Sequence, residues 1–238
     1  YRVVPVSPTG CSDGPFRDIT VTVNPTPKVI PVNTNLKPDS SICFGGNTRI
    51  VLTSPTRMTT GAIRFDYTVS VSGSPGVVIG NTAPEVNRIP GYAITYPYQN
   101  NSDTLQSVYY YITPKVNNAI CVPGKIVRSE IKIHAKPLQN LIITQPLTCE
   151  GGSDASLSAI TSKGAALYYF DWIRNSTDQV HGYSIPDLVN RKGGRWDVKV
   201  TDNLGCSNSS FIFVEGAILE PYMYIVDTTN HRIRKVTS

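Results

Sequence analysis

Gly10-Cys11-Ser12-Asp13-Gly14 has the G-x-S-x-G spacing of a hydrolase nucleophile elbow. Such an elbow works only where a strand turns sharply into a helix and a histidine reaches the serine. Here the motif lies between two strand-like runs, and no helical pattern follows it. The three histidines, His134, His181 and His231, fall in three separate segments. A plain turn and surface histidines are the preferred reading, and the chain is expected not to be an enzyme. Asp154, Asp171, Asp187, Asp197 and Asp202 are candidate ligands for structural calcium, which takes several carboxylate and carbonyl oxygens. No D-x-D-x-D-G loop accompanies them, and Asp154, Asp202 and Asn203 sit in turn sequences where Asx side chains bond the local backbone. Turn chemistry is therefore preferred, and no cofactor is expected. Two aromatic runs, Tyr109-Tyr110-Tyr111 and Tyr168-Tyr169-Phe170-Asp171-Trp172, offer flat stacking surface. Alternate residues of a strand face opposite sides, so about half of each run belongs to a core. Tyr110 and Tyr169 are expected to point outward as a recognition surface for surface glycans.

Composition narrows the class. Charged residues are 16% of the 238, against roughly 25% in an ordinary domain. Ser, Thr, Asn, Gly and Pro take their place, which suits an extracellular β-protein. The net charge of +5 is scattered, with one basic cluster at His231–Lys235. A nucleic-acid partner would need a broader basic stripe, so none is expected. No apolar run approaches the ~20 residues of a membrane helix, so direct membrane insertion is not expected either. The five cysteines show no C-x-x-C spacing. That favours disulfides and an oxidising compartment over zinc. A chain beginning at Tyr1 without a leader reads as a mature product or a piece of something longer.

The elements that must position these residues are strands. Ile19-Thr20-Val21-Thr22-Val23 alternates with period two, and Tyr1–Val6 precedes it. Two strands do not make a domain, so residues 1–24 are expected to close a domain that begins upstream. Residues 110–137 repeat the layout: Tyr111 stands ten before Cys121 as Tyr1 stands ten before Cys11. Pro114 answers Pro5, and Ile131-Lys132-Ile133 answers Val21-Thr22-Val23. Self-similarity at domain spacing signals a tandem array, with Pro25-Thr26-Pro27 and Lys136-Pro137 as joints. Further strands are expected at Arg49–Thr53, Ile63–Ser72, Gly76–Ile79, Ala93–Pro97, Ser107–Pro114, Val127–His134, Leu141–Ile143 and Phe211–Val214. No amphipathic helix is found. The fold class is all-β: tandem Ig-like β-sandwiches in an elongated array. Its parts are 1–24, 25–137, 138–221 and a hairpin at 222–238.

Cys149-Glu150-Gly151-Gly152-Ser153-Asp154, the aromatic strand ending in Trp172, and Trp196-Asp197-Val198-Lys199-Val200-Thr201-Asp202-Asn203-Leu204-Gly205-Cys206 resemble the SprB-type repeat of long surface adhesins in gliding Bacteroidota. Ala155 and Trp196 depart from its usual Gly and Tyr. Cys43-Phe44-Gly45-Gly46-Asn47 is the same opening in the domain before. Residues 25–137, with the Val21–Pro27 exit, resemble PKD-like and Ig-like repeats of such proteins. Tyr222–Val236 is similar to the core of one NHL propeller repeat. Asp103-Thr104-Leu105 and Asp227-Thr228-Thr229 resemble the O-glycosylation pattern of that phylum, which implies modification at Thr104 and Thr228.

Cys43 with Cys121, and Cys149 with Cys206, would each join the opening and closing motifs of one domain, leaving Cys11 a partner upstream. Sequence alone does not fix connectivity, and five cysteines leave one over. The resemblance implies export through a type IX system and a non-catalytic spacer role in an adhesin, gliding apparatus or extracellular filament. Its partners would be neighbouring repeats or filament subunits. Two other readings stand beside it: a glycan- or protein-binding module using Tyr110 and Tyr169, and accessory domains of a larger exported enzyme. A further expectation is that the ends exchange strands with neighbouring chains.

Overall fold

The computed structural model describes residues 1–10, 12–34, 36–37, 40–117 and 121–216, and the backbone of Met223–Asp227 and Arg232–Val236. Every regular element among them is a strand. The chain forms two compact units: residues 1–99 with 106–133, and residues 100–105 with 134–238. Cys11 and Thr228 lie outside the described residues, so the expected upstream bridge and the second glycosylation position are not placed.

The chain opens with a small hairpin, β1 (Arg2–Val3) against β2 (Arg17–Asp18). Ile19 exchanges two backbone hydrogen bonds with Tyr1, at 2.7 and 2.8 Å, whereas residues 20–23, expected to continue that strand, have no ladder partner among the described residues. The first sandwich follows in the order β3 (Ile30–Asn33), β4 (Ser41–Ile42), β5 (Ile50–Thr53), β6 (Ile63–Val71), β7 (Val78–Gly80), β8 (Glu85–Arg88), β9 (Ala93–Ile94), β10 (Tyr98–Asn100), β11 (Gln106–Val116) and β12 (Val127–Ile133). One sheet runs β3-β5-β9, a second β4-β12-β11-β6-β8, and β10 and β7 form a separate two-stranded pair. The long strands bury every second residue: Ile63, Phe65 and Tyr67 from β6 meet Val108, Tyr110 and Ile112 from β11 and Ile131 and Ile133 from β12. Pro114 is tolerated inside β11 for a positional reason. Its carbonyl turns to the β12 side, where Gly124 donates to it at 2.8 Å, beyond the last paired residue, Ile112. In an antiparallel strand the N–H of a residue faces the same side as its C=O, so the missing proline N–H takes no bond from the ladder.

The second sandwich comprises β13 (Leu138–Gln145), β14 (Ala155–Ser162), β15 (Tyr169–Arg174), β16 (Asp178–Tyr183), β17 (Asp187–Arg191), β18 (Gly194–Thr201) and β19 (Ser207–Val214). Its sheets are β13-β14-β17 and β16-β15-β18-β19. Trp172 and Trp196 fill the space between them. Each indole N–H reaches a carbonyl, Ile185 at 3.2 Å and Lys192 at 3.0 Å, so neither ring buries an unpaired donor. The backbone of β20 (Met223–Asp227) pairs antiparallel with that of β21 (Arg232–Val236), as the hairpin pattern at 222–236 predicts.

The two C-x-G-G openings fold identically. Gly46 donates to the Cys43 carbonyl at 2.9 Å, and Gly152 to the Cys149 carbonyl at 3.1 Å. Gly45 (φ +74°) and Gly151 (φ +77°) hold the left-handed third position that such a turn demands. At the closing end of the second sandwich motif, Asp202 is a buried turn-former. Its Oδ1 accepts from the N–H of Leu204 (3.0 Å) and Cys206 (2.8 Å), and Oδ2 from Ala165 (3.1 Å). The Asx-turn reading of Asp202 therefore holds. Asp154 likewise accepts from Thr148 N–H at 3.3 Å.

The expected disulfide pairs do not form. Cys121 and Cys149 are exposed free thiols, whereas Cys43 and Cys206 are disulfide-bonded. The strand geometry explains why. Cys43 follows Ile42, which pairs with Ile133 at the far end of β12, while Cys121 precedes Val127 at its near end. Six residues at ~3.3 Å each separate those ends by ~20 Å. Cys149 lies beside Gly216, past the end of β19, and Cys206 immediately before its start, a similar span. A disulfide needs Cα atoms within about 7 Å. Opening and closing motifs sit at opposite ends of each sandwich, so no bridge can join them.

Two measurements check this description. Iodoacetamide should label Cys121 and Cys149 in the native protein and leave Cys43 and Cys206 unlabelled until reduction, read by peptide mass spectrometry. Asp202→Ala strands three backbone donors at about 1 kcal/mol or more each. It should lower the stability of the second sandwich by about 3 kcal/mol in urea unfolding, with Asp202→Asn recovering part of the loss.

Candidate functional site

Tyr110 is not on the surface. It is fully buried, its ring edge-on to Tyr67 at 6.0 Å, and its hydroxyl donates to Tyr98 Oη at 3.0 Å beside Thr48 Oγ1 at 3.4 Å. The period-two argument correctly sent alternate tyrosines of β11 to opposite faces but assigned the face wrongly. Val108 and Ile112 share the side of Tyr110, so the apolar row carries it inward. Its neighbour Tyr111 is the exposed one.

Tyr169 does face outward, and the fold surrounds it with partners that the sequence reading did not name. Phe170 and Trp172 point to the core, so Tyr169, Asp171 and Ile173 take the opposite face of β15. Register places Tyr183 beside Tyr169, His181 beside Asp171 and Gln179 beside Ile173 on β16. On the other flank β18 places Thr201, Lys199 and Asp197 against the same three residues, and β19 adds Ser209 and Phe211. The Tyr169 ring meets Tyr183 edge-on at 5.1 Å and stacks near His181 at 6.5 Å. Phe211 and Phe213 form a second edge-on pair at 5.7 Å, with the Arg195 guanidinium 4.2 Å over Phe211. Between the two aromatic groups lies a shallow concavity of about 300 Å³, lined by Asp171, Gln179, Asp197, Lys199 and Ser209. Aromatic rings flanking hydroxyl-matching polar groups are suited to stacking and hydrogen-bonding a polar ligand. The signal that could have found Tyr183 and His181 was the alternation Val180-His181-Gly182-Tyr183, which puts Val180 inward.

A larger concavity, about 740 Å³, lies under the opening turn of the second sandwich, lined by Cys149–Gly152, Lys192–Gly194 and Glu215–Gly216. Its walls are mainly glycine-rich backbone, and it lacks aromatic rings, so the sheet face is the better candidate.

The strand β8, absent from the sequence reading, holds a carboxylate network in the first unit. Glu85 accepts from Arg88 Nε at 2.6 Å, Tyr92 Oη at 2.9 Å and Tyr96 Oη at 2.5 Å. Burial alone would raise its pKa. The hydroxyl dipoles of Tyr96, Tyr67 and Tyr92 and the Arg88 guanidinium outweigh that and hold it at about 2. The Tyr67 hydroxyl makes no hydrogen bond of good geometry, yet it lies close enough to the carboxyl to lower the Glu85 pKa, and burial together with Glu85 raises its own. This network staples an edge strand and the β8–β9 connection to the sandwich; it is structural.

The remaining candidates stay apart. His181 lies on the sheet face, His134 follows β12, and His231 is outside the described residues. The motif at 10–14 falls between the strands β1 and β2, with no helix after it among the described residues, so it is not a strand-to-helix elbow. Asp197 is held bidentate by Arg195 at 3.1 and 2.7 Å, and Asp187 lies on β17 in the other sheet. Among the described residues no three His, Cys, Asp or Glu side chains gather as a metal site. Thr104 is exposed in the loop between β10 and β11. No helix of the described residues is long and apolar enough to cross a membrane.

The strand orders define the class: each unit is an Ig-like or fibronectin-III-like β-sandwich, and the two follow in tandem. No family model and no curated protein matches the chain. Among solved structures it is similar to the C-terminal 282-residue fragment of intimin in complex with the intimin-binding domain of its translocated receptor. That match has 10% identity and a TM-score of 0.43, over 87% of this chain and 68% of the other. The Ig1–Ig3 ectodomain of mouse nectin-like molecule 4 matches at 14% identity and a TM-score of 0.30, over 84% and 69%. The FN1–FN3 domains of chicken CNTN1 match at 11% identity and 0.32, over 89% and 76%.

The depressed Glu85 carboxyl has a testable sign. Its folded pKa lies below the ordinary value of 4.5, so its stabilising effect is fully present well above pH 4.5. That effect is lost as pH falls toward about 2. Acid titration of unfolding should show the first sandwich weakening across this window. Glu85→Gln should flatten that part of the curve while lowering stability at neutral pH.

Proposed function

We propose that this chain is a non-catalytic segment of a long exported surface protein, in which tandem sandwiches act as a spacer in an adhesin, gliding apparatus or filament. The observation that carries the reading is the repeated opening turn, Cys43–Gly46 and Cys149–Gly152, at the entry of two complete sandwiches in one chain. The SprB-type and PKD-like resemblances of those same residues support it, as do the disulfide-bonded state of Cys43 and of Cys206 and the low charge content. The mechanical logic is simple. Each sandwich is cross-braced by long antiparallel ladders, proline joints limit the linkers, and a hydroxyl-rich surface keeps the array apart from itself. Type IX export, gliding and modification at Thr104 belong to this reading and rest on the resemblance.

A second reading is favoured by one observation, the outward cluster of Tyr169, Tyr183 and His181 beside the polar concavity. On it, the outer face of β16-β15-β18-β19 binds a surface glycan. The rings would stack on apolar sugar faces while Asp171, Gln179, Lys199 and Ser209 meet hydroxyls.

Electron microscopy of unproteolysed native material decides the first reading. A thin beaded fibre, each bead one sandwich wide, is the expected outcome; a compact globular particle would sink it. For the second, glycan-array binding should fall about fivefold to tenfold on Tyr169→Ala or Tyr183→Ala, and unchanged binding by both variants would dismiss the face.

A further inference from the structure

The β1–β2 hairpin repeats the pairing register of the β11–β12 hairpin that closes the first sandwich. Arg2 pairs with Asp18 and Val3 with Arg17, as Tyr111 pairs with Arg128 and Ile112 with Val127. Gly14 donates to the Pro5 carbonyl at 3.0 Å, as Gly124 donates to Pro114 at 2.8 Å. A Cβ on either glycine would strike the ring of its proline, at 2.7 and 2.9 Å. The same proline–glycine contact is thus built twice, at the same place relative to the paired strands.

This equivalence identifies the inner face of the hairpin. Tyr1, Val3, Ile19, Val21 and Val23 stand where Tyr110, Ile112, Ser129, Ile131 and Ile133 stand in the first sandwich. The latter five are 0, 0, 6, 0 and 0% exposed, and the former 86, 50, 50, 56 and 80%. The opposite face carries the Arg2–Asp18 ion pair at 2.9 Å, with the Arg2 guanidinium 3.9 Å over the Phe16 ring. Half of a sandwich core is present and uncovered.

We infer that residues 1–24 are the closing hairpin of a third Ig-like sandwich, and that the face of Tyr1, Val3, Ile19, Val21 and Val23 is covered by the remaining strands of that sandwich, carried earlier in the same polypeptide. Two observations choose this occupant over a second copy of the chain. Both described sandwiches already own their closing pairs, β11–β12 and β18–β19, so neither offers a vacancy. The chain order is also that of the next joint. Val23 leads through buried Pro27 to β3, as Ile133 leads through buried Pro137 to β13. Asn24 ties the hairpin's exit to the first sandwich, its Oδ1 accepting from Thr59 and Thr60 N–H at 3.0 Å and its Nδ2 donating to Thr60 O at 2.8 Å. The inference rests on the tandem repeat and not on the spacer role. A compact particle in the microscope would end the spacer reading and leave this one standing.

Amide hydrogen exchange on the native protein, compared with the isolated 238-residue chain, tests it. In the native protein, amides of residues 2–3 and 17–23 should be protected as strongly as those of 111–112 and 127–133. In the isolated chain they should exchange at least about a hundredfold faster than those of β11–β12. Val21→Asp in the native protein should remove that protection while leaving β5, β6, β14 and β18 unchanged. An unprotected hairpin in the native protein would overturn the inference. So would protection that fades on dilution, which would make the cover a second molecule, or a Val21→Asp effect that spreads to β5 and β6, which would place the face on the first sandwich.

Discussion

The ladder between β6 and β11 is the contact on which the first sandwich depends. Nine residue pairs run from Val108↔Val71 to Val116↔Ile63, and the same strand carries β12 on its other edge. A ladder that long sets a single register, because a slip of one residue would exchange Phe65, Tyr110 and Ile112 for charged and hydroxyl side chains at the core. Burying each of those aromatic or branched side chains is worth about 1.5–3 kcal/mol. The register is therefore held by packing as well as by hydrogen bonds, and the short strands β3, β4, β5 and β9 dock onto a sheet already decided.

The second sandwich reaches the same end with fewer strands and larger side chains. Trp172 and Trp196 sit on neighbouring strands, and each spends its single donor on a nearby carbonyl. Its tightest corner is the turn of Asp202, where one carboxylate replaces three backbone acceptors. Because that carboxylate is buried and fully engaged, a metal is not needed to hold the turn. This is how a motif rich in aspartate came to serve geometry. The face opposite the tryptophans is consequently free of core duty. It collects exposed rings and polar groups that the core does not use.

Free cysteines and bonded cysteines are distributed by position along the sandwich and not by motif. A strand of seven or eight residues spans the whole unit, so residues at its two ends are out of bridging reach however similar their sequence surroundings. The turns at Cys43 and Cys149 are alike in backbone, yet one cysteine is bonded and the other is free. What the turn needs is Gly45 or Gly151 in a left-handed conformation; the sulfur is incidental to it.

Local chemistry was legible in the sequence wherever a residue answers to its immediate neighbours. Strand alternation along Ile63–Val71 and Trp196–Thr201, the glycine turns after Cys43 and Cys149, the Asx turn of Asp202 and the absence of helical periodicity are all of that kind, and they suffice for an all-β class and for two sandwiches. Ambiguity entered where a decision depends on distant strands. Tyr110 and Tyr111 are equivalent to a period-two argument, and only packing against Tyr67 and Tyr98 made Tyr110 the inner one. The edge strand β8 is too short and polar to announce itself, and exists because Glu85 finds Arg88, Tyr92 and Tyr96 at the fold's rim. Cysteine pairing and the gathering of Tyr169 with Tyr183 and His181 depend on which strands lie side by side and which ends they share. Those are properties of sheet order and register, set by the long-range burial of the core, and no local pattern contains them.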